Sequence, residues 1–136
     1  MSVLTINRNE SKVEFIITAR ELVMLAVHSL KKLPKSISFN IGNRIYGLTD
    51  NIFQNIIRVN SIFINNKQDV EDRHKLCNLI LQDLTILENE ISIIIMLYHS
   101  SLSDNEWEQW GKLIEKEKRL IRALIKSDKE RTEKLK

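Results

Sequence analysis

Few residues of this sequence have the type and spacing that catalysis or metal binding requires. Glu71 and His74 form one Glu-x-x-His step, which is half of the pattern that di-iron helical bundles use twice. The sequence contains no second step of this kind. His28 and His99 have no serine or cysteine partner at a recognisable spacing, and no glycine-rich phosphate loop is present. We therefore expect no metal, no cofactor and no enzymatic activity.

Cys77 and the two tryptophans are better explained by packing than by chemistry. Cys77 lies in an apolar helical row, where a free cysteine usually behaves as a small hydrophobic residue. As the only cysteine it cannot form an internal disulfide, which favours a cytoplasmic location. Trp107 and Trp110 could stack on nucleic-acid bases, but their three-residue spacing on an amphipathic helix favours a place in the core or in an interface.

Basic and acidic residues are separated along the chain, although its net charge is only +3. Segment 31–67 has six basic residues and one aspartate, segment 83–108 has six acidic residues and no lysine or arginine, and segment 112–126 is basic again. Such a separation favours either contacts between oppositely charged zones of neighbouring copies of the chain, or a basic surface that binds a polyanion. The simpler alternative is a set of solvated helix faces with intrahelical pairs such as Glu115 with Arg119.

Four stretches of the chain have apolar residues at alternating steps of three and four, the period of an amphipathic helix. We predict helices over about 11–33, 37–63, 68–99 and 104–126. Residues 1–10 are then an N-terminal extension, and residues 127–136 are a charged tail that we expect to be frayed or disordered. Short connections indicate an all-α, up-down-up-down antiparallel four-helix bundle. We expect no membrane-spanning segment and no secretion signal.

Capping residues, a proline and two glycines mark the predicted helix ends. Ser-x-x-Glu capping boxes occur at Ser11–Glu14 and Ser103–Glu106. Pro34 should end the first helix, because it lacks an N–H and crowds the preceding residue. Gly42 and Gly47 each weaken the second helix by about 1 kcal/mol, so either a neighbour packs closely there or the first turns are irregular. The candidate caps of the second and third helices are Ser36, Ser38, Asn66 and Asp69.

The third helix is apolar around more of its circumference than one face of a bundle requires. Its main row, which includes Arg73 and Cys77, supplies the core, and further apolar residues lie beside that row. An exposed apolar patch of this size is a liability for a monomer, so the sequence predicts a homo-oligomer. The predicted interface residues are Leu76, Leu79, Ile86, Ile93, Ile95 and Leu97.

The stretch "KKLPKSISFNIGNRI" resembles the connection between the first two helices in a bacterial family of four-helix bundles. This family contains the accessory variability determinant (Avd) of diversity-generating retroelements and related proteins encoded by intervening sequences in large-subunit ribosomal RNA genes. The similarity covers roughly residues 16–126 and takes in the third helix and the start of the fourth. The matching residues of the connection are Leu33, Pro34, Lys35, Phe39, Ile41, Gly42, Arg44 and Ile45.

The resemblance implies a barrel-shaped homopentamer, a ring whose basic surface holds a reverse transcriptase and nucleic acid. The chain would then be a non-catalytic accessory subunit, and RNA or DNA would bind through its phosphate backbone, because few aromatic residues interleave with the basic ones. The intervening-sequence relatives imply the alternative, a structural bundle that only self-associates and has no intrinsic nucleic-acid role. The residues that the resemblance assigns to phosphates or to the polymerase are Lys31, Lys32, Lys35, Arg44 and Arg58.

Overall fold

A computed structural model describes the backbone of residues 3–135 and the side chains of residues 13–135. Within this part of the chain there are four long helices and no strand, which confirms the predicted all-α four-helix fold. We call them the first to fourth helices, and they span Val3–Leu30, Asn43–Ser61, Lys67–Tyr98 and Asp104–Lys134.

The four helices pack as a ring around one core. The first helix packs on the second and the fourth, and the third helix also packs on the second and the fourth. The first and third helices therefore occupy opposite corners of the bundle. None of the described helices is both long and apolar enough to cross a membrane. Large side chains that are fully buried come from all four helices and include Leu22, Ile52, Ile56, Ile80, Leu84, Trp110, Ile114 and Ile121.

The first helix begins earlier than the sequence analysis predicted. It starts at Val3 and passes without interruption through Ser11, so residues 3–10 are part of this helix. Residues 3–10 contain neither glycine nor proline, and a helix that meets no breaker can continue upstream of a possible cap. The predicted capping contact of Ser11 with Glu14 lies outside the described side chains.

Pro34 does separate the first two helices, but the predicted serine caps are wrong. Pro34 occupies the N-cap position of a single helical turn, Lys35–Ile37, and this cap has no side-chain hydrogen bond. Instead, the Pro34 carbonyl oxygen accepts the backbone N–H groups of the third and fourth residues after it, at 3.0 and 2.9 Å. Because the backbone already satisfies these donors, neither Ser36 nor Ser38 is needed as a cap.

The turns that follow are irregular, and Gly42 lies where they meet the first helix. Segment Ser38–Gly42 is wound as a π-helix before the regular second helix begins. Gly42 is buried, and a Cβ atom at this position would lie 3.0 Å from Cδ2 of Leu30. Both predicted explanations for Gly42, a closely packed neighbour and irregular first turns, are therefore confirmed. A Cβ atom at Gly47 would meet no other atom within 4 Å.

The second helix ends sooner, and the fourth helix later, than predicted. The second ends at Ser61, so Phe63, the last residue of the predicted helix, lies outside it and is 80% exposed. Capping boxes at Asn66–Asp69 and Ser103–Glu106 start the third and fourth helices. The box at Ser103 is the predicted one, and Asn66 is the N-cap of the third helix from the two candidates, Asn66 and Asp69. The fourth helix continues to Lys134, because a buried aspartate in the predicted tail anchors it to the third helix.

Candidate interaction surfaces

The five basic residues that we assigned to phosphate or polymerase binding do not form one cluster. Four of them, between Lys31 and Arg44, surround the connection between the first two helices and are exposed. Arg58 lies in the last turn of the second helix, about 21 Å further along its axis. Arg58 donates to the Asn55 side chain at 2.7 Å. The structure therefore divides the predicted site between the two ends of the bundle.

Two of these basic residues already pair with acids of the same chain. Lys32 Nζ lies 2.8 Å from Glu106 Oε1, and the hydrogen bond from Lys32 lowers the pKa of Glu106. Arg44 pairs with Glu90 on the third helix. The basic segment and the acidic segment thus neutralise each other in part within one chain. Of the predicted ligands, Lys31, Lys35 and Arg58 form no ion pair among the described residues.

The fourth helix carries a second basic surface that our residue assignment missed. Four exposed residues at steps of seven, three and four lie along one side of this helix. None of them forms an ion pair within the described part of the chain, and the predicted intrahelical pair of Glu115 with Arg119 is not formed there. The positive balance of segment 112–126 was the available signal. We call this surface the fourth-helix ridge: Lys112, Arg119, Arg122 and Lys126.

The third helix presents an apolar stripe to solvent. Leu76 and Ile95, which we predicted in an interface, are half-buried against the protein's own core. The other four predicted residues are exposed by between 42% and 61% of their surface. Met96 lies beside them, is more exposed still, and was missed. We call the exposed set the third-helix stripe: Leu79, Ile86, Ile93 and Leu97.

The first helix has an exposed apolar stripe of its own, which the sequence analysis did not single out. Ile17, Met24 and Val27 are all exposed, and their spacing of seven and three residues places them on one side of the helix. Arg20 lies within the same face, and exposed Lys31 directly follows the end of the helix. We call Ile17, Met24 and Val27 the first-helix stripe. Apolar periodicity alone did not reveal it, because the buried row of the same helix has the same period.

The residues that we considered for catalysis are engaged elsewhere or are unreactive. Cys77 is buried, and burial raises the pKa of its thiol to about 11, with Asp128 adding to the rise and Arg73 opposing it. Such a thiol is not a nucleophile at neutral pH. Trp107 Nε1 donates to a backbone carbonyl at 2.9 Å, and Trp110 Nε1 donates to a serine hydroxyl at 3.2 Å. Both tryptophans are buried, so neither is available to stack on a base.

A cleft of about 510 Å³ lies between the start of the third helix and the end of the fourth. Its walls contain both residues of the Glu71–His74 step, together with Lys75, Lys129 and Glu133. Among the residues that the structure describes, no group of three or more histidine, cysteine, aspartate or glutamate side chains is arranged to hold a metal ion. The Glu71–His74 step therefore has no further donor of the described chain arranged with it to complete a metal site.

Glu117 is a buried acid without a partner. Its side chain is fully enclosed between the first and fourth helices, and among the described residues neither carboxyl oxygen has a hydrogen-bond partner. Burial raises the pKa of Glu117 to about 9; Lys116 lowers it, and Glu14 and Glu21 raise it further. At neutral pH the carboxyl group is therefore protonated, and its position inside the bundle gives it no access to a substrate.

Comparisons of the chain with protein-family models, with curated proteins and with solved structures give no match. The resemblance to the Avd family therefore stays a prediction that rests on the residues of the helix connection. The functional assignment depends on three exposed surfaces of the structure: the third-helix stripe, the first-helix stripe and the fourth-helix ridge.

Proposed function

We propose that this protein is a non-catalytic helical bundle that assembles with copies of itself. The observation that carries the proposal is the third-helix stripe, in which four large aliphatic side chains face solvent along one helix. Steps of seven residues return almost to the same side of a helix, so the stripe forms a continuous seam, about 27 Å long. Contiguous exposed apolar patches mark interaction sites, because they are uncommon on the surfaces of soluble monomers.

The particle mass in solution tests the proposal. Light scattering at micromolar concentration should give a multiple of the 16.0 kDa chain mass, and the resemblance favours a multiple of five. Ile86→Glu should reduce the mass to one chain, because it would bury an unpaired carboxylate in the interface. Ala123→Glu, on an exposed position of the fourth helix, introduces the same charge outside the stripe and should leave the mass unchanged. A single-chain mass for the unaltered protein contradicts the proposal.

A second candidate function is that of a nucleic-acid-binding accessory subunit beside a reverse transcriptase. The fourth-helix ridge favours it, because this ridge presents four cations that no acid of the described chain neutralises. When unpaired lysines and arginines bind phosphates, the counterions condensed on the nucleic acid are released. This release supplies affinity without recognition of the bases. Lys31 and Lys35 would add to such a surface from the connection between the first two helices, whereas Lys32 and Arg44 must first leave their acidic partners.

Charge reversal separates the two basic regions. In a binding assay with single-stranded RNA and duplex DNA at about 50 mM salt, reversing Lys112, Arg119 and Arg122 to glutamate should abolish most binding. Reversing the connection residues Lys32, Lys35 and Arg44 should cost less, because two of them are already paired.

Reversal of three exposed cations near the C-terminal end, Lys129, Arg131 and Lys134, is the matched control and should matter least. Oligomer mass and helix content should stay unchanged in all three variants. Binding by the ridge variant that equals that of the unaltered protein would eliminate the nucleic-acid role of the ridge.

A further inference from the structure

Two apolar stripes lie on opposite corners of the bundle. The first-helix stripe and the third-helix stripe belong to helices that do not pack on each other, since each packs on the second and fourth helices. Both stripes contain large exposed aliphatic or methionine side chains at seven-residue steps, Ile17 with Met24 in one and Leu79 with Ile86 in the other. One molecule therefore cannot cover either stripe with the other.

The charges beside the two stripes have opposite signs. Asp83 lies along the third-helix stripe and forms no ion pair among the described residues, whereas Glu90 is already paired with Arg44. The third helix has no lysine or arginine from Asp83 to its end. Arg20 lies within the face of the first-helix stripe, and exposed Lys31 directly follows the end of this helix. Glu14 and Glu21 lie at the margin of the face, and Glu14 is paired with Lys116 of the same chain. An apolar seam with acidic flanks fits a seam with basic flanks, because each desolvated charge then meets a partner of opposite sign.

We infer that the first-helix stripe of one copy packs on the third-helix stripe of the next copy. This inference rests on the self-assembly proposed above and adds the second surface that such an assembly uses. A contact between two different faces of the same chain is heterologous, so it closes into a ring or continues as a filament and does not form a two-fold dimer.

A symmetric contact of two third-helix stripes is less favourable. It would bring Asp83 of both copies beside one apolar seam, where the third helix offers no lysine or arginine to offset it. Like charges that are brought together while losing water weaken an interface. Such a contact would also leave the first-helix stripe exposed.

A mixing experiment tests the pairing. Met24→Glu destroys the first-helix stripe and keeps the third-helix stripe, whereas Ile86→Glu does the reverse. Each variant alone should have the mass of one chain, and an equimolar mixture should form a pair with twice the 16.0 kDa chain mass, because one functional contact remains between them. Val27→Glu is a second variant of the first-helix stripe, and circular dichroism should show unchanged helix content. Ala123→Glu is again the matched control.

The outcomes distinguish this inference from the proposed function. If Met24→Glu and Val27→Glu keep the mass of the unaltered protein while Ile86→Glu is a single chain, self-assembly stands and the pairing inferred here is wrong. A mixture that stays at the mass of one chain also overturns the pairing. If the unaltered protein itself is a single chain, the proposed function fails, and this inference fails with it.

Discussion

The two ends of the bundle hold their charged residues in opposite ways. At the end where the second helix meets the third, Arg73 Nε donates to Asp128 Oδ2 at 2.8 Å, and both side chains are buried. The same guanidinium donates through Nη1 to the carbonyl oxygens of Val59 and Ile62, at 2.9 and 3.0 Å. One buried cation thus joins the ends of the second and fourth helices to the start of the third.

At the other end the cations reach their acids from solvent. The side chains of Lys32 and Arg44 are 42% and 60% exposed, and they pair with Glu106 and Glu90. An exposed pair contributes little to stability because water and salt compete for both charges. Ion pairs therefore have a structural role at one end of the bundle only.

The largest effect is expected from breaking the buried pair. Asp128→Ala leaves the Arg73 guanidinium buried without its carboxylate, which typically costs about 3–5 kcal/mol of unfolding free energy. The measurement is urea denaturation of the variant and of the unaltered protein, with the same probe. Replacing both residues by apolar ones, Arg73→Met with Asp128→Leu, should be less harmful than Asp128→Ala. If Asp128→Ala unfolds at the same urea concentration as the parent, the pair is not the anchor of the fourth helix.

A second prediction concerns Glu117. Among the described residues this buried acid has no hydrogen-bond partner, whereas buried Asp128 is paired with Arg73. Its pKa is raised to about 9, so the native state holds a proton that the unfolded chain loses near its ordinary pKa. The stability that this proton provides is complete below about pH 4.5, and it decreases as the pH rises toward 9. The slope should be on the order of 1.4 kcal/mol per pH unit.

Substitution at Glu117 checks the sign of this effect. Glu117→Gln should remove the decrease with pH, because it cannot ionise, and Glu117→Met should also stabilise the protein at pH 7 by about 1–3 kcal/mol. Denaturation curves between pH 5 and 9 provide the measurement. Glu14 and Glu21 remain in both variants, so any residual slope reports the surrounding acids. Equal slopes for Glu117→Gln and the parent would show that Glu117 is solvated or paired.

Local signals predicted the helix boundaries where side chain and backbone meet within one turn. The Ser103–Glu106 capping box was found from spacing alone, and Asn66 was one of two candidate caps of the third helix, since a cap of this kind satisfies a donor three residues away. The end of the fourth helix was not predicted correctly, because it depends on the contact of Asp128 with Arg73, which is 55 residues away in the sequence. We had placed Arg73 in the core row, but its partner lay in the segment that we expected to be frayed.

The candidate site was predicted only in part for a similar reason. Periodicity identified the third-helix stripe, but it could not separate exposed Ile86 from half-buried Leu76, since that depends on how the second helix covers the third. Charge counting located the basic connection but not the pairing of Lys32 and Arg44 with acids far along the chain. Glu117 was missed because a glutamate within a charged segment is usually on the surface.

The smallest effect on stability is expected at the exposed end. Lys32→Ala should change the unfolding free energy by less than about 1 kcal/mol, because the pair it breaks is exposed and competes with water. Its clearer consequence is on titration. Lys32 is the main cause of the lowered pKa of Glu106, so this pKa should rise in the variant, and an NMR titration of the Glu106 carboxyl carbon measures it. The stability that the lowered pKa provides is present above the ordinary glutamate pKa and is lost as the pH falls, so Lys32→Ala should also reduce the sensitivity to acid. A loss of stability as large as that of Asp128→Ala would show that the two ends hold their charges in the same way.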